Sequence, residues 1–138
     1  MSISWSKDLA VGNTEIDDDH RELIGIINEF EAETKKAAGT VDDAHMRHIL
    51  GRLQIYAQDH FAREEYVQAI AKYDGLAENK REHEALTRTL GDFIARFDNG
   101  TLGDRRGSTD QMSSFLSNWL MGHVLKIDLK MRGKVDIG

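Results

Sequence analysis

Apolar positions recur at helical spacing in four separate stretches of the chain, and polar or glycine-containing segments divide them. The first stripe reads His20, Leu23, Ile24, Ile27, Phe30 and Thr34. The second reads Met46, Ile49, Leu50, Leu53, Tyr56, Ala57, His60, Glu64 and Val67. The third reads Asn79, His83, Leu86, Leu90, Phe93, Ile94 and Phe97, and the fourth Met112, Phe115, Leu116, Trp119, Leu120, His123 and Ile127. A period near 3.6 residues predicts amphipathic helices, here over about 17–38, 41–71, 76–97 and 108–131. Gly39-Thr40, Tyr73-Asp74-Gly75 and Asp98-Asn99-Gly100 supply the breaks, and Asp17-Asp18-Asp19 predicts a solvated, acid-capped start for the first helix. Residues 1–16, with apolar clusters at Ile3, Trp5, Leu9 and Val11, predict an extended N-terminal arm anchored by Trp5. The expected architecture is all-α: a single domain over 1–138 forming an up-down-up-down four-helix bundle with that arm.

Each predicted helix carries a histidine on its apolar face, and two add a carboxylate. His60 and Glu64 are four residues apart, so their side chains stack one turn apart on one face. That face continues an apolar stripe into the core, where an unpartnered imidazole and carboxylate would be costly. A single buried histidine such as His20 has an ordinary reading as a hydrogen-bonded core residue. In an up-down bundle, however, the start of helix one, the end of helix two, the start of helix three and the end of helix four share one end. His20, His60 with Glu64, His83 and His123 converge there, with Asp128 to the side of the His123 face. His45 and His48 lie roughly 18 Å or more from His60 along their helix at 1.5 Å per residue and are expected to be partly exposed.

Composition narrows the chemistry. The 138 residues include no cysteine, so thiolate zinc sites, iron–sulfur clusters and disulfides are excluded. Four imidazoles and two carboxylates without sulfur favour iron or manganese and predict a dinuclear site. A net charge of −6 with both signs intermixed argues against a nucleic-acid surface. Without a signal-like apolar run or a membrane-span-length segment, the expected location is cytoplasmic, with no membrane partner. A bundle of this size is expected to be a self-sufficient monomer.

In combination, Trp5, Ile16-Asp17-Asp18-Asp19-His20, His60-Phe61-Ala62-Arg63-Glu64-Glu65, Lys80-Arg81-Glu82-His83 and Trp119-Leu120-Met121-Gly122-His123 with Asp128 resemble the hemerythrins, specifically the bacterial single-domain members. That resemblance implies a non-haem di-iron protein that binds dioxygen for storage, transport or sensing, with no dedicated catalytic residue. It implies that Glu64, Asp128 and a solvent-derived oxygen bridge the irons. His20 and His60 would hold the iron where dioxygen binds, and His83 and His123 the other. Val124, directly after His123, would wall the dioxygen pocket, and a reductant of unknown identity would be a partner.

The chain departs from the family pattern at Asn79, where a third histidine for the second iron is expected four residues before His83. Gln68 stands one turn beyond Glu64, where methionine is common in the family. Together Gln68 and Asn79 would hydrogen-bond a water in place of the missing imidazole. Two exchangeable iron positions instead of one keep a second reading open, a di-iron peroxidase or oxidase. A third is a degenerate bundle with one metal or none, serving as an interaction module.

Overall fold

The computed structural model describes residues 4–6, 9–10, 13–36 and 41–123, and among these it contains four helices and no strand. They are α1 (Thr14–Thr34), α2 (Asp43–Ile70), α3 (Leu76–Asn99) and α4 (Arg105–Gly122). Helix α1 packs against α2 and α4, and α2 packs against α3, forming a four-helix bundle.

Local chemistry sets the helix ends. Asn13 Oδ1 accepts from the Ile16 amide at 3.1 Å, so α1 begins at Thr14 and not near residue 17. Asp17, Asp18 and Asp19 consequently lie inside the helix. Asp42 caps α2 through the His45 amide, and Asp104 caps α4 through the Gly107 amide, which starts α4 at Arg105, ahead of the Ser108-Thr109-Asp110 run. Helix α3 has no side-chain cap at its start and ends on Gly100, whose φ of 68° is the left-handed conformation that glycine adopts without a Cβ clash. The expected end of the fourth helix near 131 lies outside the described residues.

The four stripes form the interior. Ile24, Ile27, Phe30, Ile49, Leu50, Leu53, Leu90, Ile94, Leu116 and Leu120 belong to one continuous apolar core, against which Trp5 of the arm packs. Arg21 lies 3.9 Å above the Trp5 ring, a cation–π contact that fastens the arm to α1. A smaller cluster of Ile16 and Val67, with Ala71 and Tyr73, sits one turn from His20 and from Glu64. Phe115 departs from its expected inward place: it is 37% exposed, because the α4 stripe is narrow and Phe115 sits at its margin beside buried Leu116. His45 and His48 are exposed on α2.

Away from the histidine end, buried Glu33 bridges two elements. Its Oε2 accepts from the Asp42 amide at 3.0 Å and its Oε1 accepts from Lys36 Nζ at 3.0 Å. The Asp42 amide bond and then Lys36, against an opposing contribution from burial, hold the Glu33 carboxyl below its ordinary value. Glu33→Ala leaves an amide at the head of α2 without an acceptor and is expected to destabilise the fold by about 1–2 kcal/mol, measured by urea unfolding with an unchanged m-value.

Candidate metal centre

The antiparallel order of the helices brings His20 from the first turns of α1, His60 and Glu64 from the last third of α2, His83 from α3 and His123, which closes α4, to one end of the bundle. All five side chains are buried: His20, His60 and Glu64 at 0% exposure, His83 at 2% and His123 at 4%.

Glu64 is the centre of the arrangement. Its Oε2 lies 3.0 Å from His60 Nε2 and 3.6 Å from His20 Nε2, while Oε1 lies 3.2 Å from His83 Nε2 and 3.3 Å from His123 Nε2. Two groups of three ligand atoms result, His20–His60–Glu64 and Glu64–His83–His123, each with its atoms within 4.8 Å of one another. One carboxylate shared between two histidine pairs could serve two cation positions at once.

Two further carboxylates determine which nitrogen of a ring faces inward. Asp19 Oδ2 lies 3.0 Å from His60 Nδ1, and Arg63 grips Asp19 with both arms, Nε to Oδ2 at 2.8 Å and a terminal nitrogen to Oδ1 at 2.7 Å. On the other side Glu65 Oε2 lies 2.7 Å from His83 Nδ1. A carboxylate at Nδ1 holds the proton there, so Nε2 keeps its lone pair and points it at Glu64. Lone pairs on His60 Nε2 and Glu64 Oε2, neither of them hydrogen-bonded among the described residues, repel unless a cation lies between them. The side chains therefore fit a metal, with nitrogen and oxygen donors, outer hydrogen bonds in place and no sulfur.

Aromatic rings shield this centre. Phe61 stacks on His83 with centroids 3.9 Å apart and planes 9° apart, and Trp119 stacks on His123 at 4.7 Å and 11°. Asn79, 0% exposed, donates Nδ2 to Glu64 Oε1, so its carboxamide faces the centre. Gln68 is also fully buried, one turn beyond Glu64. Val124 and Asp128 lie outside the described residues.

Without metal, a proton takes the cation's place. Burial raises the Glu64 carboxyl, but hydrogen bonds from His123, His20, His60 and His83 outweigh it and hold the group well below its ordinary 4.5. Burial lowers His60, yet Asp19 and Glu64 outweigh that and raise it above 6.5. For Asp19, burial again opposes, and His60 and Arg63 prevail to lower it from 3.8.

A lowered carboxylate contributes stability above its unfolded pKa and loses it as pH falls through the folded value. A raised histidine contributes below its unfolded pKa and loses it as pH rises through the folded value. The metal-free protein is therefore expected to melt highest between about pH 4.5 and 6.5, with melting temperature falling on both sides. A metal held by His60 would take the place of that proton, so loading is expected to remove the loss on the alkaline side. Thermal melts across pH, with and without a chelator, check both statements.

Asp19, Arg63 and Glu65 are the residues that sequence reasoning missed. Asp19 had been expected on a solvated helix start; in the structure it is 4% exposed and bonded to His60. Their available signal is position: Asp19 and Glu65 each adjoin a candidate ligand, His20 and Glu64, and so sit about 100° around the helix from it. That turns both toward a histidine of the neighbouring helix, Asp19 toward His60 and Glu65 toward His83.

The chain matches the family described as Hemerythrin HHE cation binding domain over residues 11–135. It is 28% identical over 120 residues to a bacteriohemerythrin of Stenotrophomonas maltophilia, covering 87% of this chain and 72% of that one. It is 25% identical over 132 residues to myohemerythrin-1 of Phascolopsis gouldii, covering 95% and 92%. A crystal structure of wild-type hemerythrin superposes with a TM-score of 0.85 at 20% identity, covering 97% of this chain and 98% of that one, a likeness of fold. Among the described residues no helix is long and apolar enough to cross a membrane.

Proposed function

This chain belongs to the hemerythrin HHE cation-binding family, and from that premise we propose that it is a non-haem di-iron protein that binds dioxygen reversibly, for storage, delivery or sensing. The observation that carries the reading is Glu64: one fully buried carboxylate whose two oxygens each face the Nε2 atoms of a separate histidine pair. His20 and His60 would hold one iron, His83 and His123 the other, with Glu64 as a bridge and Asp128 as the second. Irons held there would supply the electrons and open coordination that dioxygen binding requires. The relatives named bacteriohemerythrin and myohemerythrin support this choice of metal and ligand.

The protein's own groups perform the supporting work. Asp19 and Glu65 accept from the outer nitrogens of His60 and His83, which leaves the inner nitrogens facing Glu64 and placed to coordinate. Phe61 and Trp119 cover two imidazoles with apolar rings, which excludes bulk water and slows loss of the bound state to oxidation. Val124 would wall the ligand pocket. No side chain among these is assigned as a catalytic acid or base.

The test is the iron content after anaerobic loading with ferrous iron, followed by the visible spectrum in air and then under argon. Two irons per chain, with a band that appears in air and fades under argon, is the expected result. One iron or fewer and no reversible band would send the function to mononuclear chemistry or to the bundle surface.

Asn79 favours a second reading, peroxidase-like turnover. Its amide faces Glu64, yet a neutral carboxamide is a weak ligand, so the His83–His123 iron would keep an exchangeable position. Steady oxidation of a reducing dye by hydrogen peroxide, falling several-fold in Asn79→His, would establish it. Equal rates in the two proteins would dismiss it.

A further inference from the structure

We propose that the two ligand groups are unequal and take up metal in order, His20–His60–Glu64 before Glu64–His83–His123, with the Asn79 amide setting the difference. This order presupposes the metal-binding reading above and adds which half of the centre is the stronger.

The asymmetry begins at Glu64. Among the described residues Oε2 accepts no hydrogen bond outside the histidine pair it faces, whereas Oε1 also accepts from Asn79 Nδ2. Charge decides the amide's orientation, since turning Asn79 over would set its carbonyl oxygen against a carboxylate. The side chain is fully buried on α3 and has no water to turn to. A hydrogen bond donated to Oε1 withdraws electron density from it and occupies one of its lone-pair directions. A metal ion at the His83–His123 side must share that oxygen with the amide or displace it, while one at the His20–His60 side meets an oxygen with no such competitor.

The outer supports differ in the same direction. His60 is held by Asp19, whose side chain is 6% exposed and gripped through both oxygens by Arg63. His83 is held by Glu65, whose side chain is 27% exposed. The His60 ring is therefore set in its ligating orientation before any metal arrives, and the His83 support is open to exchange with water. Less reorganisation is needed at the His20–His60 side.

Two divalent cations sharing one carboxylate repel each other, which favours filling in steps, so the identity of the first position is the decisive quantity. The experiment is an anaerobic titration of the metal-free full chain with cobalt(II) alone, followed by its visible d–d absorption and by calorimetry. His83→Ala is expected to keep the first, tight step unchanged, and His60→Ala to weaken it by at least about tenfold. Asn79→Ala is expected to tighten the second step by about tenfold while leaving the first alone. A tight step that survives in His60→Ala and disappears in His83→Ala, or disappears in both, overturns the order. So does an unchanged second step in Asn79→Ala, which decides the matter by itself if circular dichroism shows a histidine variant unfolded. Uptake of two cobalt ions in the reverse order defeats only this proposal. No uptake by the folded, unaltered chain defeats the metal-binding reading with it.

Discussion

Glu64→Ala is expected to empty the centre: iron per chain after anaerobic loading falls close to zero, and the band that appears in air is absent. The size of the effect follows from sharing. Each group of three ligand atoms contains Glu64, so one substitution removes a ligand, and the only carboxylate among the described ligand atoms, from both positions at once. Two buried neutral imidazoles on each side cannot balance a divalent charge at a site as dry as this one. The fold is expected to survive, because Glu64 is not among the residues of the continuous apolar core. Far-UV circular dichroism at parental amplitude together with an empty centre is the predicted pair of observations. Glu64→Gln keeps the shape and one acceptor oxygen but no charge, and is expected to retain at most one weakly held ion. An alanine variant that still binds two irons would show that ligands other than this carboxylate build the centre.

Asp19→Ala is expected to weaken metal binding at the His20–His60 position by about 10–100-fold, the usual consequence of losing the group that orients a ligating histidine. It acts in two ways. His60 Nδ1 loses the acceptor that holds its proton, so the ring can adopt the tautomer with the proton on the inner nitrogen. Arg63 loses both of its oxygens at once. The stability cost is about 1–3 kcal/mol, below that of a fully enclosed pair, because the Arg63 side chain is 38% exposed and can regain water. Asp19→Asn retains an acceptor oxygen for His60 and is expected to recover much of the affinity but little of the Arg63 pairing. Cobalt titration reads the first quantity and urea unfolding of the metal-free protein the second. Parental affinity in Asp19→Ala would mean that packing alone, such as the 4.8 Å contact between the His20 and His60 rings, orients the ligand.

These two substitutions differ in how visible they were along the chain. Glu64 stands four residues after His60 on a stripe of apolar positions, and helical period alone places it inside. Asp19 is the third of three consecutive aspartates, a run that one-dimensional reasoning assigns to a solvated helix start. Two local facts overturn that assignment. Asn13 caps the helix one turn earlier, and α2 lies alongside with His60 and Arg63 at the matching height. Asn79 shows the same division. Its inward position was legible from the α3 stripe, but its hydrogen bond to Glu64 Oε1 required the relative height of α2 and α3, which no local period encodes.

What the sequence by itself determined is the set of helices, their buried faces and the residue types that those faces bring to one end. Those properties follow from periodicity, from short connections and from the cost of burying unpaired polar groups, all of which act locally or along a single helix. Only the tertiary structure decided which oxygen of Glu64 meets which imidazole, that Asp19 and Glu65 set the ring tautomers, and that Asn79 donates to one side of the bridge. Such contacts depend on axial offsets and rotations between helices at the scale of an ångström. Those offsets are set jointly by the packing of one continuous apolar core, to which Phe30, Leu50, Leu90 and Leu116 belong, and not by any one side chain alone.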